Sequence, residues 1–147
     1  LAFNVVSTSY KGSDYIPYVY AFQSDIQLRQ GNKQQALELL DASIAAFSKN
    51  HPLKDLMRIK RALVLIDTGD ATQGVAQLEE LAANTKGMHA DTAAFYLGYY
   101  YLTAGKEADC VRVWKALRES MKTAKMKAGR SAWLTIVEEK LQQLGEH

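Results

Sequence analysis

A chain of 147 residues with a formal charge of +2, in which 48% of side chains are apolar and 23% charged, carries enough apolar material for one buried core. That balance does not fit an intrinsically disordered chain, and the single cysteine excludes a fold stapled by internal disulfides. Near-neutrality also argues against a nucleic-acid partner attracted nonspecifically by charge.

In chain order, residues 1–15 lack helical periodicity, with Val5, Val6, Ser7, Thr8 and Ser9 in succession, and read as an extended or loosely ordered N-terminal arm. From residue 16 to residue 147 the pattern is that of a single all-α domain. Helices are expected near 16–30, 33–49, 53–68, 71–85, 90–104 and 106 to about 125. Ala36, Leu40, Ile44 and Phe47 share one helical face, as do Leu56, Ile59, Leu63 and Ile66, and later Cys110, Trp114 and Leu117. A last segment, 131–144, aligns Leu134, Val137, Leu141 and Leu144 before Gly145 and reads as a capping helix.

The joints explain why these segments pair. Gly31-Asn32, Gly69-Asp70 and Gly105-Lys106 recur at spacings of 38 and 36 residues, each between an apolar helical run and a polar start. Glycine takes the left-handed conformation that ends a helix, and Asn32 or Asp70 can accept hydrogen bonds at the start of the next. Gln35 and Gln73 follow three residues later, at capping-box spacing. Pro52 and Pro17 suit first turns, where the missing amide hydrogen would have no helical partner. Three helical hairpins result, at about 17–52, 53–88 and 90–127.

The third hairpin, with Leu97-Gly98, Tyr101, Gly105, Cys110 and Trp114, resembles the tetratricopeptide repeat (TPR). Ser24 and Ala36 in the first unit, and Ala62 and Gly74 in the second, stand at the family's small-residue positions. Departures are the displaced Pro52, the two units without a proline there, the longer period than the usual ~34, and Glu138 at a small-residue place in the cap. The resemblance spans about residues 17–144 and implies a right-handed α-solenoid of three TPR-like hairpins plus the cap, with a concave groove. A weaker similarity, from Pro52-Leu53-Lys54-Asp55-Leu56 to Trp114-Lys115-Ala116-Leu117, is to bacterial TPR proteins tethered to the inner membrane, some of which assist secretory-protein traffic. It implies a periplasmic, cell-envelope setting with an upstream anchor, for which the start at Leu1 leaves room. Within the chain, the charge-free run Thr92 to Gly105 has only 14 residues, short of the ~20 that cross a membrane, so no transmembrane segment is expected.

Catalytic and metal-binding chemistry finds little support. Glycine-rich phosphate loops and HExxH are missing from the sequence, and His51, His89 and His147 stand apart from one another. The pairs Glu79-Glu80 and Glu138-Glu139 diverge around a helix. Cys110 reads as core packing at a helix crossing, against the alternative of a thiol activated by Arg112. No enzyme activity, cofactor or metal is expected.

Eight tyrosines cluster at Tyr10, Tyr15, Tyr18 and Tyr20 and at Tyr96, Tyr99, Tyr100 and Tyr101, too many to point inward together. The resemblance places Tyr101 in the core and Tyr18, Ala21, Asp25, Leu56, Ile59, Leu63, Phe95, Tyr99 and Leu102 along the groove. Such a wall holds a peptide or an amphipathic helix, with Asp25 setting polarity at one edge, or is filled by the N-terminal arm or the capping helix. The lysine, asparagine and arginine that clamp a C-terminal carboxylate in some TPR proteins are replaced by Ala21, Asp25, Ile59, Leu63, Thr92 and Tyr96, so an acidic tail is not the expected ligand. A second surface, Arg112, Lys115, Arg118, Lys122 and Lys125, continued by Lys127 and Arg130, is opposed only by Glu119 within its own interval. It suits an acidic partner or anionic head groups, or is simply a solvated helix face. The expected role is a protein-protein adaptor; the competing role is self-assembly through the same groove.

Overall fold

The computed structural model describes residues 14–124 and 132–146. The described residues form helices joined by turns: α1 Ile16–Arg29, α2 Lys33–Ala46, α3 Pro52–Thr68, α4 Ala71–Ala83, α5 Ala90–Thr103, α6 Glu107–Ala124 and α7 Ala132–Gln143. The architecture is all-α. Of the expected arm, only Asp14 and Tyr15 fall among the described residues, in a turn leading into α1; Lys125, Lys127 and Arg130 lie outside them. The chain divides into two compact units, Leu1–Gln77 and Leu78–His147, with the boundary inside α4.

Each glycine that ends a hairpin's first helix works as the sequence suggests. Gly31, Gly69 and Gly105 all have positive φ, and Gly145 ends α7 in the same way. The Asn32 N–H donates to Gln27 O at 2.9 Å while the Gly31 N–H donates to Leu28 O at 3.0 Å. Equivalent pairs at the other three turns satisfy carbonyls the helix leaves open.

The expected caps divide. Asp70 Oδ1 accepts the Gln73 N–H at 3.2 Å, as an N-cap should. The Asn32 box does not form. With ψ near 63° the residue is outside extended backbone, and its amide nitrogen instead donates back to Gln27 Oε1 at 2.8 Å. α3 gains an unusual cap: His51 Nδ1 accepts the Leu53 N–H at 3.2 Å, immediately before Pro52 at the first helical position.

In the first unit α1 packs on α2 and α2 on α3. Their directions follow from which ends meet. Ser43 Oγ donates to Pro17 O at 2.7 Å, joining the end of α2 to the start of α1. Lys33 bridges to Asp67 at 2.7 Å and Arg61 to Asp41 at 2.5 Å, so α2 and α3 also run antiparallel. Leu37, Leu40, Val64 and Leu65 form the core between them, with Leu28 and Met57 against its edge. Full burial of each such aliphatic chain is worth roughly 1.5–3 kcal/mol. Ser24, Ala36 and Ala62 are fully buried, and a Cβ on Gly74 would come within 2.5 Å of Ala62 O.

In the second unit α5 packs antiparallel on α6, and α7 lies against both. Trp114 is 1% exposed, and its Nε1 donates to Phe95 O at 3.2 Å. Cys110, Leu134, Val137 and Leu141 complete a buried apolar interior. No described helix is long and apolar enough to cross a membrane.

Candidate functional site

The residues expected to form a groove wall divide by burial. In the first unit Tyr18 is exposed, Ala21, Asp25, Leu56 and Leu63 are half-buried, and Ile59 is buried at 2% exposure. In the second unit Tyr99 is exposed and Leu102 half-buried, whereas Phe95 is buried. Ile59 and Phe95 therefore belong to the interior and present no open surface. For Phe95 the cause is visible: Trp133 of α7 stacks on it with ring centroids 4.2 Å apart and donates through Nε1 to Thr92 Oγ1 at 3.4 Å. The capping helix thus covers this part of α5. Asp25 pairs with Lys60, which spends its charge within the unit.

Each described cation of the basic stripe has a carboxylate nearby. Arg112 pairs with Asp109 at 2.9 Å, Lys115 with Glu146, and Lys122 with Glu119 at 3.4 Å, while Arg118 lies 3.7 Å from Glu119. Counting charges along α6 alone missed Glu146, which packing delivers from beyond α7. The Asp109 hydrogen bond raises the Arg112 pKa further.

Cys110 is wholly buried, and burial, with a smaller contribution from Glu107, pushes its thiol up to about 11. That is opposite to nucleophile activation. Tyr101, core as expected, donates to Glu79 Oε1 at 2.8 Å; burial first, and that bond second, push its hydroxyl up to about 12. Among the described residues no group of three or more His, Cys, Asp or Glu side chains converges as metal ligands do.

A concavity is present elsewhere on the first unit, where the start of α1 meets the end of α2. It is a cleft of about 1040 Å³ between Tyr15, Tyr18 and Phe22 on one side and Phe47 and His51 on the other. Tyr15 and Phe22 are 75% and 64% exposed, large values for aromatic rings. Its floor is an aromatic cluster: Phe47 and His51 stack at 4.4 Å, and Tyr18 meets the Phe47 edge at 5.4 Å. Tyr18 Oη also lies 3.4 Å from His51 Nε2. Since Nδ1 is the acceptor for the Leu53 amide, the neutral ring carries its proton on Nε2 and donates it toward Tyr18.

Local backbone explains the placement. α2 ends at Ala46, and Phe47 turns extended, with φ −70° and ψ 141°, which swings its ring off the helix face and under Tyr18. Of the sequence-derived candidates, only Tyr18 reaches this cleft. A signal for the others was present: Tyr15, Tyr18 and Phe22 are spaced by three and four residues, one helical stripe.

No family model matches the chain, no curated protein matches it, and no solved structure matches it.

Proposed function

We propose that the chain is a non-catalytic, TPR-like interaction module that holds a peptide or short helix of another protein. The single observation carrying this reading is the cleft at the head of α1, where exposed Tyr15 and Phe22 stand over a floor of Tyr18, Phe47 and His51. Rigid aromatic anchors lose little side-chain entropy on binding and commonly supply the dominant contacts of an interface. The antiparallel hairpins and their repeated glycine turns support the solenoid reading, in which each hairpin buries its apolar stripe against the next. Tyr99 and Leu102 belong to the same proposed class of surface on the second unit.

The test is selection of peptides from a random displayed library on the full chain, followed by titration against wild type and Phe22→Ala. The reading predicts micromolar binders whose affinity falls at least about tenfold in the variant, the loss typical of an anchor residue. Binders indifferent to Phe22 and Tyr18 would reject the cleft as their site. A dilution series of native mass distinguishes the competing self-assembly role, which predicts dimers or larger species.

A further inference from the structure

We propose that the aromatic cleft is an acid-sensitive site: protonating His51 pulls the imidazole off the cap of α3, removes the floor beside Tyr18 and weakens the hold on a bound peptide. The proposal rests on the reading of that cleft as a peptide site and adds its regulation.

Three observations fit the imidazole to its neutral form. The first is the cap. Nδ1 accepts the Leu53 N–H at 3.2 Å, so it needs a free lone pair. Protonation turns that nitrogen into a donor facing a donor. The neighbouring amides give no relief, since Pro52 has no N–H and the Lys54 N–H already donates to His51 O at 3.0 Å. The second is the place in the fold. His51 directly precedes α3, at the end where the aligned peptide dipoles are positive, and a cation is disfavoured there.

The third is that the same ring builds the cleft. It stacks on Phe47 at 4.4 Å, meets the Tyr18 ring edge-on at 6.2 Å and lines the cleft with both. A ring that turns away from Leu53 takes this wall with it. The Phe47 face accommodates either charge state, so the discrimination lies at Nδ1.

The charged and titratable groups around the ring come from each neighbouring element. From α1, Tyr18 presents its hydroxyl to Nε2 at 3.4 Å, and Asp14 is the one carboxylate among the described residues of the lining. Lys49 precedes His51 by two residues. From α3, Lys54 donates to Phe47 O at 3.3 Å, while Asp55 is engaged with Arg58 at 3.3 Å. Asp14 is therefore the group whose own titration has to be separated from that of His51. Proton and peptide then oppose each other by linkage, each weakening the other's binding by one common factor, commonly about fivefold or more.

The experiment titrates the full chain with a selected, end-blocked peptide lacking Asp, Glu and His, at about pH 7.5 and about pH 5.5, on either side of the range in which histidine usually titrates. Wild type is expected to bind at least about fivefold more weakly at the lower pH, with equal ellipticity at both. His51→Asn supplies a side-chain oxygen that caps a helix at either pH, so its two affinities, whatever their absolute value, should agree within about twofold. Asp14→Asn should keep the wild-type ratio. A wild type indifferent to pH, a ratio that survives His51→Asn or disappears with Asp14→Asn, or a global loss of helix at the lower pH would overturn the proposal.

A second arm needs no peptide. In nuclear magnetic resonance of the free chain, the Leu53 amide should shift and lose exchange protection in step with protonation of the His51 ring, and should stay unchanged in His51→Asn. An amide that ignores the ring overturns the switch. Absence of peptide binding to every form at both pH values discards the peptide reading, and the Leu53 amide alone then decides whether acid releases the cap.

Discussion

Gly98 and Trp114 are packed against each other: a Cβ on Gly98 would overlap the indole, well inside van der Waals contact of Nε1 and Cδ1. The same indole nitrogen donates to Phe95 O, so the ring cannot retreat without breaking a buried hydrogen bond. Gly98→Ala is therefore expected to destabilise the chain by about 1–3 kcal/mol, the usual range for overpacking. Urea or thermal unfolding checks this, and a Gly98→Ala protein as stable as wild type would contradict the packing of α5 on α6.

The two helix starts predicted to be capped make a matched pair. Asp70→Ala removes a formed cap and should lower stability by about 1 kcal/mol. Asn32→Ala removes only side-chain bonds to half-buried Gln27 and exposed Gln30 and should cost less than half of that. Equal losses in chemical denaturation would mean that Asn32 caps α2 after all.

Ser43 ties α2 to α1 through a fully buried hydroxyl. Ser43→Ala leaves the Pro17 carbonyl without this donor, and a loss of about 1–2 kcal/mol is expected. Differential scanning calorimetry of the variant measures it directly; Ser43→Val, which also adds bulk beside α1, should be worse than alanine.

Alkaline pH acts on the second unit through Cys110 and Tyr101. Both have folded-state pKa values raised above their ordinary ones, to about 11 and about 12. The unfolded chain therefore loses these protons first, so their stabilisation is complete below about pH 9 and fades as pH rises through about 11 to 12. The melting temperature should fall across this window, and Cys110→Ala should fall less steeply at its lower end. Parallel pH profiles for the two proteins would remove the thiol from the explanation.

Phe22 offers a separation of binding from stability. Its ring is mostly in solvent, so Phe22→Ala should change unfolding free energy by no more than about 0.5 kcal/mol. Tyr18→Phe removes the hydroxyl facing His51 and should retain most peptide affinity, while Phe22→Ala loses it. Calorimetric titration beside a melt distinguishes the two effects.

Local rules carried most of the secondary structure. Gly31, Gly69 and Gly105 marked the turns because a positive φ is a single-residue requirement, and Cys110 and Trp114 were legible as core from helical spacing, whereas Tyr101 was placed there by resemblance alone. α2 illustrates where that reasoning stops. Its apolar period continues through Phe47, yet the helix ends at Ala46 because Phe47 gains more by packing beneath Tyr18 and against His51 than by one further helical turn. His51 itself was passed over as an isolated histidine, since histidine is not among the usual capping residues. The fate of Phe95 depended on Trp133, 38 positions away in sequence, and the pairing of Lys115 depended on Glu146. Such pairings exist only after α7 has packed, and no window along the chain contains them.

Both indoles of the chain, Trp114 and Trp133, flank Phe95 in the unit Leu78–His147. The unit Leu1–Gln77 contains tyrosine and phenylalanine but no tryptophan. The molecule thus carries a built-in optical label on one half. Indole emission follows the melting of that half alone, while far-ultraviolet ellipticity follows both, so coincident curves would mark one cooperative body and separated curves two independently folding ones.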